Sequence, residues 1–178
     1  MPGNRAVFLD RDGVINQAIV RDGKPYPPSG PAQLEIVPEA PQSLQELKQA
    51  GFLLIVVTNQ PDIARGKQER AVVEAIHLAL RGALQVDDFF LCAHDDSDHC
   101  DCRKPRPGLL LRAAEKHHID LSRSFMVGDR WRDVEAGANA GCATVWIDYG
   151  YREKGASVQP SATVDSLRAA ADWILRQP

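Results

Sequence analysis

The sequence lacks long apolar runs and a surplus of basic residues. The run over 52–57, Phe-Leu-Leu-Ile-Val-Val, has six residues, whereas a membrane-spanning helix needs ~20. Lys and Arg (21 together) are outnumbered by Asp and Glu (24), and the formal net charge of −3 provides no dominant positive field for a nucleic-acid backbone or an anionic membrane. The N-terminal segment reaches the charged Asp10 before a signal-peptide core can form. We therefore expect a cytoplasmic protein that binds neither nucleic acid nor membranes.

Cysteine is also scarce, because four cysteines in 178 residues are too few for a disulfide scaffold. The hydrophobic fraction of 44% and the charged fraction of 25% are those of a globular domain. The sequence contains no internal repeat or low-complexity tract. A chain of this length can bury a sizeable core within one domain. We expect a single domain over residues 1–178 and a monomer.

Short apolar runs alternate along the chain with helical patterns. The pattern predicts strands at 6–9, 52–57, 89–92, 124–127 and 143–147, and helices at 40–50, 68–84, 107–117, 133–139 and 164–175. Such alternation predicts right-handed crossovers and a three-layer α/β/α sandwich around a mostly parallel, Rossmann-like sheet. The segment 22–41 is rich in Pro and Gly and predicts a long loop that could serve as a flap over a site.

Polar residues follow several of the predicted strands, where the carboxyl ends of a parallel sheet form a ligand-binding crevice. Asp10, Thr58-Asn59 and Asp129 end three apolar runs, and Lys104 lies just before a predicted helix. An Asp after a strand is often only a cap or a turn former. The coincidence of all these positions favours a site.

Asp10 and Asp12 are separated by one residue, and two such carboxylates repel each other unless a cation or a division of labour accommodates them. A Mg²⁺ ion bound through carboxylate and carbonyl oxygens at Asp10, Asp12 and Asp129 would neutralise the pair. One Asp could then attack phosphorus while the other protonates the leaving oxygen. Asp133 is expected behind these ligands, orienting Lys104 or the waters of the metal.

The same crevice needs groups that hold a phosphate. Lys104 supplies a compact positive charge and Arg103 beside it a bidentate fork. Thr58 and Asn59 offer hydroxyl, amide and backbone donors at a strand end. Arg130 and Arg132 could both be solvated surface charges, and Arg130, which adjoins the expected metal ligand Asp129, is the favoured candidate for a substrate contact.

Three of the four cysteines cluster in C-x-H…C-x-C, formed by Cys92, His94, Cys100 and Cys102. This set matches a closed tetrahedral Cys₃His zinc site with no open position for catalysis. The loop 95–99 is polar and cannot bury an apolar core, so a metal is the plausible source of its order. Either His94 or His99 could supply the nitrogen, and the symmetry with C-x-C favours His94. A structural Zn²⁺ here would position the adjoining 103–104 pair.

The string Phe-Leu-Asp-Arg-Asp-Gly-Val-Ile-Asn at 8–16 resembles the first motif of the haloacid dehalogenase (HAD) superfamily of phosphatases. Segments 57–66, 103–108 and 128–133 resemble its second, third and fourth motifs in order. The resemblance implies that Asp10 is a nucleophile forming an aspartyl-phosphate, with Asp12 as general acid and then base. It also implies that Thr58 and Lys104 stabilise the phosphoryl group, and that Asp129 joins Asp10 and the Asp12 carbonyl around Mg²⁺.

The spacing of these motifs leaves no room for an inserted cap domain, because helix and strand elements use most of 10–58 and of 58–104. Among capless members, the cysteine loop followed by R-K-P-x-P-G resembles the heptose bisphosphate phosphatases, and histidinol-phosphate phosphatases share it. Two departures concern substrate choice: Pro61-Asp62 replaces an expected Ser-Gly, and 17–24 lacks the usual Gly-Tyr-Val-type loop.

The resemblance implies a Mg²⁺-dependent phosphomonoester hydrolase acting on a phosphorylated sugar, with the 7-phosphate of D-glycero-D-manno-heptose 1,7-bisphosphate as the expected target. Hydrolysis of histidinol phosphate or of another small sugar phosphate is the alternative. A zinc-organised binding module without catalysis would have lost Asp10, Asp12, Lys104 or Asp129, and all four are present. A phosphatase of nucleic-acid ends would need a basic stripe, which the acidic balance argues against.

Overall fold

The alternation of buried strands and amphipathic helices folds into a parallel sheet covered on both faces. A computed structural model describes residues 3–178; Met1 and Pro2, within the expected domain range, lie outside the described residues. The strands are β1 (Ala6–Leu9), β2 (Ile19–Arg21), β3 (Lys24–Tyr26), β4 (Leu53–Asn59), β5 (Asp88–Cys92), β6 (Phe125–Gly128), β7 (Ala143–Ile147) and β8 (Ala162–Val164). The helices are α1 (Ala40–Gln49), α2 (Arg70–Ala83), α3 (Gly108–His117), α4 (Trp131–Ala140) and α5 (Leu167–Leu175).

Six of the strands form one sheet in the order β5-β4-β1-β6-β7-β8, and every pair in it is parallel. The chain first winds outward from β1 through β4 to β5, then returns to the other side of β1 and continues through β6 to β8. The winding direction therefore reverses between β1 and β6. Ligand sites of open α/β sheets lie at such a reversal, beyond the carboxyl ends of the strands.

Strand alternation divides the core into two layers. Val7 and Leu9 of β1 point into a cluster that contains the buried faces of α1, α2 and α5. Ala6 and Phe8 point into a second cluster, formed with α3 and α4. Because both sheet faces are covered, the central strands are apolar throughout. This is the three-layer α/β/α sandwich that the sequence predicts.

Two parts of the prediction are wrong. The segment 22–41 is not all loop, since β2 and β3 pair as an antiparallel hairpin over 19–26 and a short 3-10 turn occupies Pro31–Gln33. The last helix begins at Leu167, and Ala162–Val164, partly assigned to that helix, instead adds an edge strand beside β7. Both errors have the same reason, because three-residue strands are too short to show a period in the sequence.

The intervals between the main strands contain no inserted cap domain within the described residues, since only the small hairpin and the 3-10 turn lie between β1 and α1. Of the helices over 3–178, none has the length and apolar character of a membrane span.

Candidate active site

Two aspartates lie at the reversal between β1 and β6. The backbone N–H of Asp10 donates to the carbonyl of Val127 at 3.0 Å, and Asp129 follows the end of β6. Gly13 makes this approach possible, because a Cβ at its position would lie 1.9 Å from Oδ2 of Asp129. Its φ of +89° is also a conformation that other residues adopt only with strain. The carboxylate of Asp129 therefore rests against the bare backbone of the turn after Asp10.

Asp10, Asp129 and Asp133 offer carboxylate oxygens that all lie within 4.8 Å of one another, and all three residues are buried. Neither carboxylate oxygen of Asp129 has a hydrogen-bond partner in the described part of the chain. Burial, followed by the charge of Asp133, raises the pKa of Asp10 to about 6. Burial and the charge of Asp10 raise the pKa of Asp129 well above its usual range. Buried, mutually repelling oxygens of this kind suit a hard divalent cation such as Mg²⁺.

Lys104 supplies the positive charge that the structure places against this cluster. Its ammonium donates to Asp133 Oδ1 at 2.6 Å, to Asp10 Oδ1 at 2.9 Å and to the carbonyl of Val57 at 2.8 Å. Burial alone would lower the pKa of Lys104, but Asp10 and Asp133 outweigh it and raise that pKa above the ordinary value. Asp133 Oδ2 accepts the backbone N–H of Arg130 at 3.1 Å, which fixes its carboxylate. The ammonium of Lys104 pairs with two of the three carboxylates, and Asp129 has no salt-bridge partner among the described residues, so the cluster suits a further cation.

The Asp12 side chain points away from the carboxylate cluster and lines the cleft, with 16% of the side chain exposed. Arg11 donates Nε to Oδ1 and Nη2 to Oδ2, both at 3.0 Å. Asn16 donates to Oδ1 at 3.0 Å and Gln60 to Oδ2 at 2.8 Å. Neither Arg11 nor Gln60 was predicted from the sequence to have a role at the site, and their only signal there is that each adjoins a predicted site residue.

Thr58 and Asn59 come to the site from the end of β4. Thr58 is buried, and its hydroxyl oxygen accepts the amide of Gln60 at 2.9 Å. Asn59 clamps the backbone of Lys104: its Nδ2 donates to the Lys104 carbonyl at 3.1 Å, and its Oδ1 accepts the Lys104 N–H at 3.0 Å. The structure thus shows Asn59 holding the backbone of Lys104 through two hydrogen bonds.

A cleft of about 300 Å³ opens above Asp10 and Lys104. Arg103 and Arg130 line it, and each guanidinium is already paired, Arg103 Nε with Asp96 at 2.8 Å and Arg130 Nε with Glu153 at 2.9 Å. Lys24 and Tyr26 from the β2–β3 hairpin also line the cleft, together with Arg65 and Arg132, and none of these four was predicted individually as a site residue. The cleft therefore combines a carboxylate floor with a rim of cations.

The cysteine loop brings four ligand atoms together at the far side of this rim. The sulfurs of Cys92, Cys100 and Cys102 lie 2.9–3.7 Å from one another, and His94 Nδ1 lies 3.3 Å from Cys102 Sγ and 3.6 Å from Cys92 Sγ. In a zinc tetrahedron with Zn–S distances of 2.3 Å, neighbouring sulfurs would lie ~3.8 Å apart. The observed distances between the ligand atoms are somewhat shorter, so the four residues need to move apart only slightly to hold the ion. None of the cysteines is disulfide-bonded. The four residues fit Zn²⁺, and His99 lies outside the set.

The comparisons with known proteins agree with this geometry. The model of the HAD-hydrolase-like family matches residues 101–170. Two relatives are named D-glycero-β-D-manno-heptose-1,7-bisphosphate 7-phosphatase. The one from Bordetella bronchiseptica is 34% identical over 97% of this chain and 99% of its own, and the one from Pseudomonas aeruginosa is 36% identical over 96% and 97%.

Solved structures show the same relationship. A D,D-heptose 1,7-bisphosphate phosphatase from B. bronchiseptica, complexed with magnesium and phosphate, superposes with a TM-score of 0.78 at 32% identity, covering 98% of this chain and 99% of that one. An enzyme of the same name from Burkholderia thailandensis gives a TM-score of 0.67 at 26% identity, with coverage of 97% and 99%. Full-length similarity on a shared fold shows that this chain is a phosphatase of the HAD-like hydrolases and belongs to the family that includes the D-glycero-β-D-manno-heptose-1,7-bisphosphate 7-phosphatases.

Proposed function

We propose that this chain removes the 7-phosphate of D-glycero-β-D-manno-heptose 1,7-bisphosphate. The observation that supports this most strongly is the buried group of Asp10, Asp129 and Lys104 beneath a cation-rimmed cleft, in a chain whose full-length relatives carry that activity in their names.

In the first half of the reaction, Asp10 attacks phosphorus as the bond to the sugar oxygen breaks. The carboxylic acid of Asp12 gives its proton to that oxygen, so the sugar leaves as an alcohol. In the second half, Asp12 takes a proton from water, which attacks the aspartyl-phosphate. Inorganic phosphate leaves, and Asp10 is restored as a carboxylate. Lys104 and the Thr58 hydroxyl stabilise the phosphoryl oxygens throughout.

The residues proposed to hold Mg²⁺ are Asp10 and Asp129 through their carboxylates and Asp12 through its carbonyl, with Asp133 behind them. Bound there, the ion would neutralise the phosphate and the nucleophile, which otherwise repel each other. HAD phosphatases use Mg²⁺, and the B. bronchiseptica relative was solved with magnesium and phosphate. The proposed structural Zn²⁺ at the cysteine loop takes no part in the chemistry.

A bisphosphate needs a second place for negative charge, and the rim of the cleft supplies it. Lys24 lines the cleft from the hairpin, and it makes no salt bridge within residues 3–178. Arg65, Arg103 and Arg132 also line the cleft but are each paired with Asp95 or Asp96. Lys24 is therefore the rim cation most available to the distal phosphate.

We further propose that the chain works as one 178-residue domain, as a monomer, in the cytoplasm. The residues of both candidate metal sites come from a single chain. A cluster of three unpaired cysteines is typical of compartments in which thiols are kept reduced.

Phosphate release in the presence of Mg²⁺ tests the substrate. The panel contains both anomers of heptose 1,7-bisphosphate, histidinol phosphate and simple hexose phosphates, with Asp10→Asn as the blank. We expect preference for the β-heptose bisphosphate, with loss of the 7-phosphate seen by phosphorus NMR. A preference for histidinol phosphate would replace the substrate and keep the chemistry.

The variant Lys24→Met tests whether the cation at the rim of the cleft binds the distal phosphate. We expect it to raise KM for the bisphosphate several-fold more than for a hexose monophosphate. The control is Lys67→Met, an exposed lysine outside the cleft lining. Equal changes for both substrates would remove Lys24 from the proposed distal phosphate site.

A further inference from the structure

Arg11 is the largest fully buried side chain in the described part of the chain, and it lies between the proposed nucleophile and the proposed general acid. Two of its nitrogens are used on Asp12. We call Arg11, Asn16 and Gln60 the Asp12 clamp, because together they place four hydrogen bonds on the two oxygens of that carboxylate. A proton donor must face the leaving oxygen, so the orientation of the clamp decides where the proton of Asp12 is delivered.

The third nitrogen of Arg11 reaches a residue outside the known motifs. Arg11 Nη1 lies 3.2 Å from Nε2 of His77, a half-buried residue of α2 next to the buried Ile76. A guanidinium only donates, so His77 Nε2 is the acceptor and its proton is on Nδ1. Burial, and then the charge of Arg11, lowers the pKa of His77 to about 4, which keeps the ring neutral.

The His77 ring is itself held in place. It stacks on Phe89 of β5 with ring centroids 4.7 Å apart and an angle of 23° between the planes. Phe89, His77, Arg11 and Asp12 therefore form a continuous series of contacts, one ring stack followed by two hydrogen bonds. Without the acceptor on His77, Arg11 Nη1 would lose its partner and the guanidinium fork would be free to tilt.

We propose that His77 is a positioning residue for proton transfer by Asp12, acting through Arg11. The inference rests on the role proposed above for Asp12. His77 does not touch the substrate; it fixes the plane of the guanidinium that orients the acid. Its effect therefore appears only where the leaving group needs a proton.

The test compares His77→Phe with His77→Gln. Phe keeps the stack on Phe89 and removes the acceptor, whereas the carbonyl oxygen of Gln retains an acceptor near the position of Nε2. Each variant is measured with a hexose 6-phosphate, whose alkoxide needs protonation, and with p-nitrophenyl phosphate, whose phenolate leaves without it. Thermal unfolding confirms that both variants are folded.

We expect His77→Phe to lower kcat for the hexose phosphate at least tenfold with KM within twofold. For p-nitrophenyl phosphate kcat should fall less than threefold, and His77→Gln should recover most of the loss. In an Asp12→Asn background, His77→Phe should cause no further loss. Equal losses on both substrates, no loss at all, or an added loss in the Asp12→Asn background would overturn the inference.

The Asp12→Asn variant separates the two possible failures. If it discriminates against the hexose phosphate while His77→Phe does not, the inference about His77 is wrong and the proposed function is intact. If Asp12→Asn treats both substrates alike, the proposed role of Asp12 is wrong, and the inference fails with it.

Discussion

Individual residues at the site are held by contacts that span the whole chain. Lys104 lies 94 positions from Asp10 in sequence, yet its ammonium donates to that carboxylate at 2.9 Å. The positions of polar residues at the ends of predicted strands, together with the order of the motifs, predicted that carboxylates and a lysine would lie together at one edge of the sheet. They gave no sign that His77, halfway along a helix, would accept from a buried arginine. Such a pair depends on side-chain directions across two elements, which a single sequence does not specify.

Gly13 offers the sharpest test at this scale. We expect Gly13→Ala to abolish Mg²⁺-dependent activity, because its Cβ would overlap Asp129 Oδ2. Gly51→Ala is the matched control: it has a similar φ of +87°, but no atom lies within 4 Å of its added Cβ. For Gly51→Ala, the free energy of unfolding measured in urea should fall by only about 1–2 kcal/mol, the cost of placing alanine in a left-handed conformation. For Gly13→Ala, the free energy of unfolding should fall further, and adding Mg²⁺ should no longer raise the Tm. Equal losses in the two variants would contradict the packing of Asp129 on the turn.

His77 also predicts a pH dependence of stability. Its pKa falls from 6.5 to about 4 on folding, so the unfolded chain binds the extra proton between these pH values. The folded chain is therefore progressively destabilised as the pH falls from 6.5 toward 4, and this effect is absent well above pH 6.5. From pH 7 to pH 5 the free energy of unfolding should fall by at most about 2 kcal/mol more in the wild type than in His77→Gln. Urea titrations at the two pH values measure this difference. An equal change of the unfolding free energy with pH in both proteins would contradict a neutral, half-buried His77 ring.

At the scale of elements, the long strands and helices with a regular hydrophobic pattern could be predicted from the sequence, whereas the pairing of three-residue strands could not. The β-branched, uncharged run ending at Thr58 predicted β4, and the stripe of Val73, Ile76 and Leu80 predicted the buried face of α2. The β2–β3 hairpin was missed because its strands have three residues each and one contains Pro25. Its position over the cleft follows from tertiary contacts such as the Arg152 N–H to the Gly23 carbonyl at 2.9 Å, which no local pattern encodes.

The cysteine loop is the element whose order should depend on a metal. Its sequence is polar, and it connects directly to Arg103, whose guanidinium donates to the His94 carbonyl at 3.4 Å. We expect one zinc per chain by elemental analysis. Cys100→Ala should lose the zinc and lower both Tm and kcat. Cys142→Ala, a buried thiol outside the cluster, should keep the zinc. A zinc-free Cys100→Ala protein with full Mg²⁺-dependent turnover would show that the loop does not support the site.

At the scale of the whole molecule, the fold places an electrostatic cost at the reversal point of the sheet. Three carboxylates converge there because β1 and β6 are adjacent, parallel strands and α4 begins just beyond β6. Lys104 offsets only part of the repulsion, and Asp129 keeps two buried oxygens without hydrogen bonds from the described residues. Global stability and metal binding are therefore expected to oppose each other at this residue.

The variant Asp129→Asn should separate the effect of this carboxylate on global stability from its effect on metal binding. A buried carboxyl whose pKa is raised on folding destabilises the folded chain at every pH above the unfolded pKa, so its removal is stabilising at pH 7. In EDTA, the free energy of unfolding of Asp129→Asn should exceed that of the wild type, because the buried charge and its repulsion by Asp10 and Asp133 are removed. Adding Mg²⁺ should then stabilise the wild type by mass action and leave the variant unchanged.

The matched control is Glu115→Gln, which removes an exposed negative charge on α3 and should change neither quantity. A lower stability of Asp129→Asn in EDTA would mean that the carboxylate is compensated in the metal-free protein by a partner other than a cation. A higher stability, together with loss of the Mg²⁺ response, would show that the chain retains a destabilising group because the ion needs it.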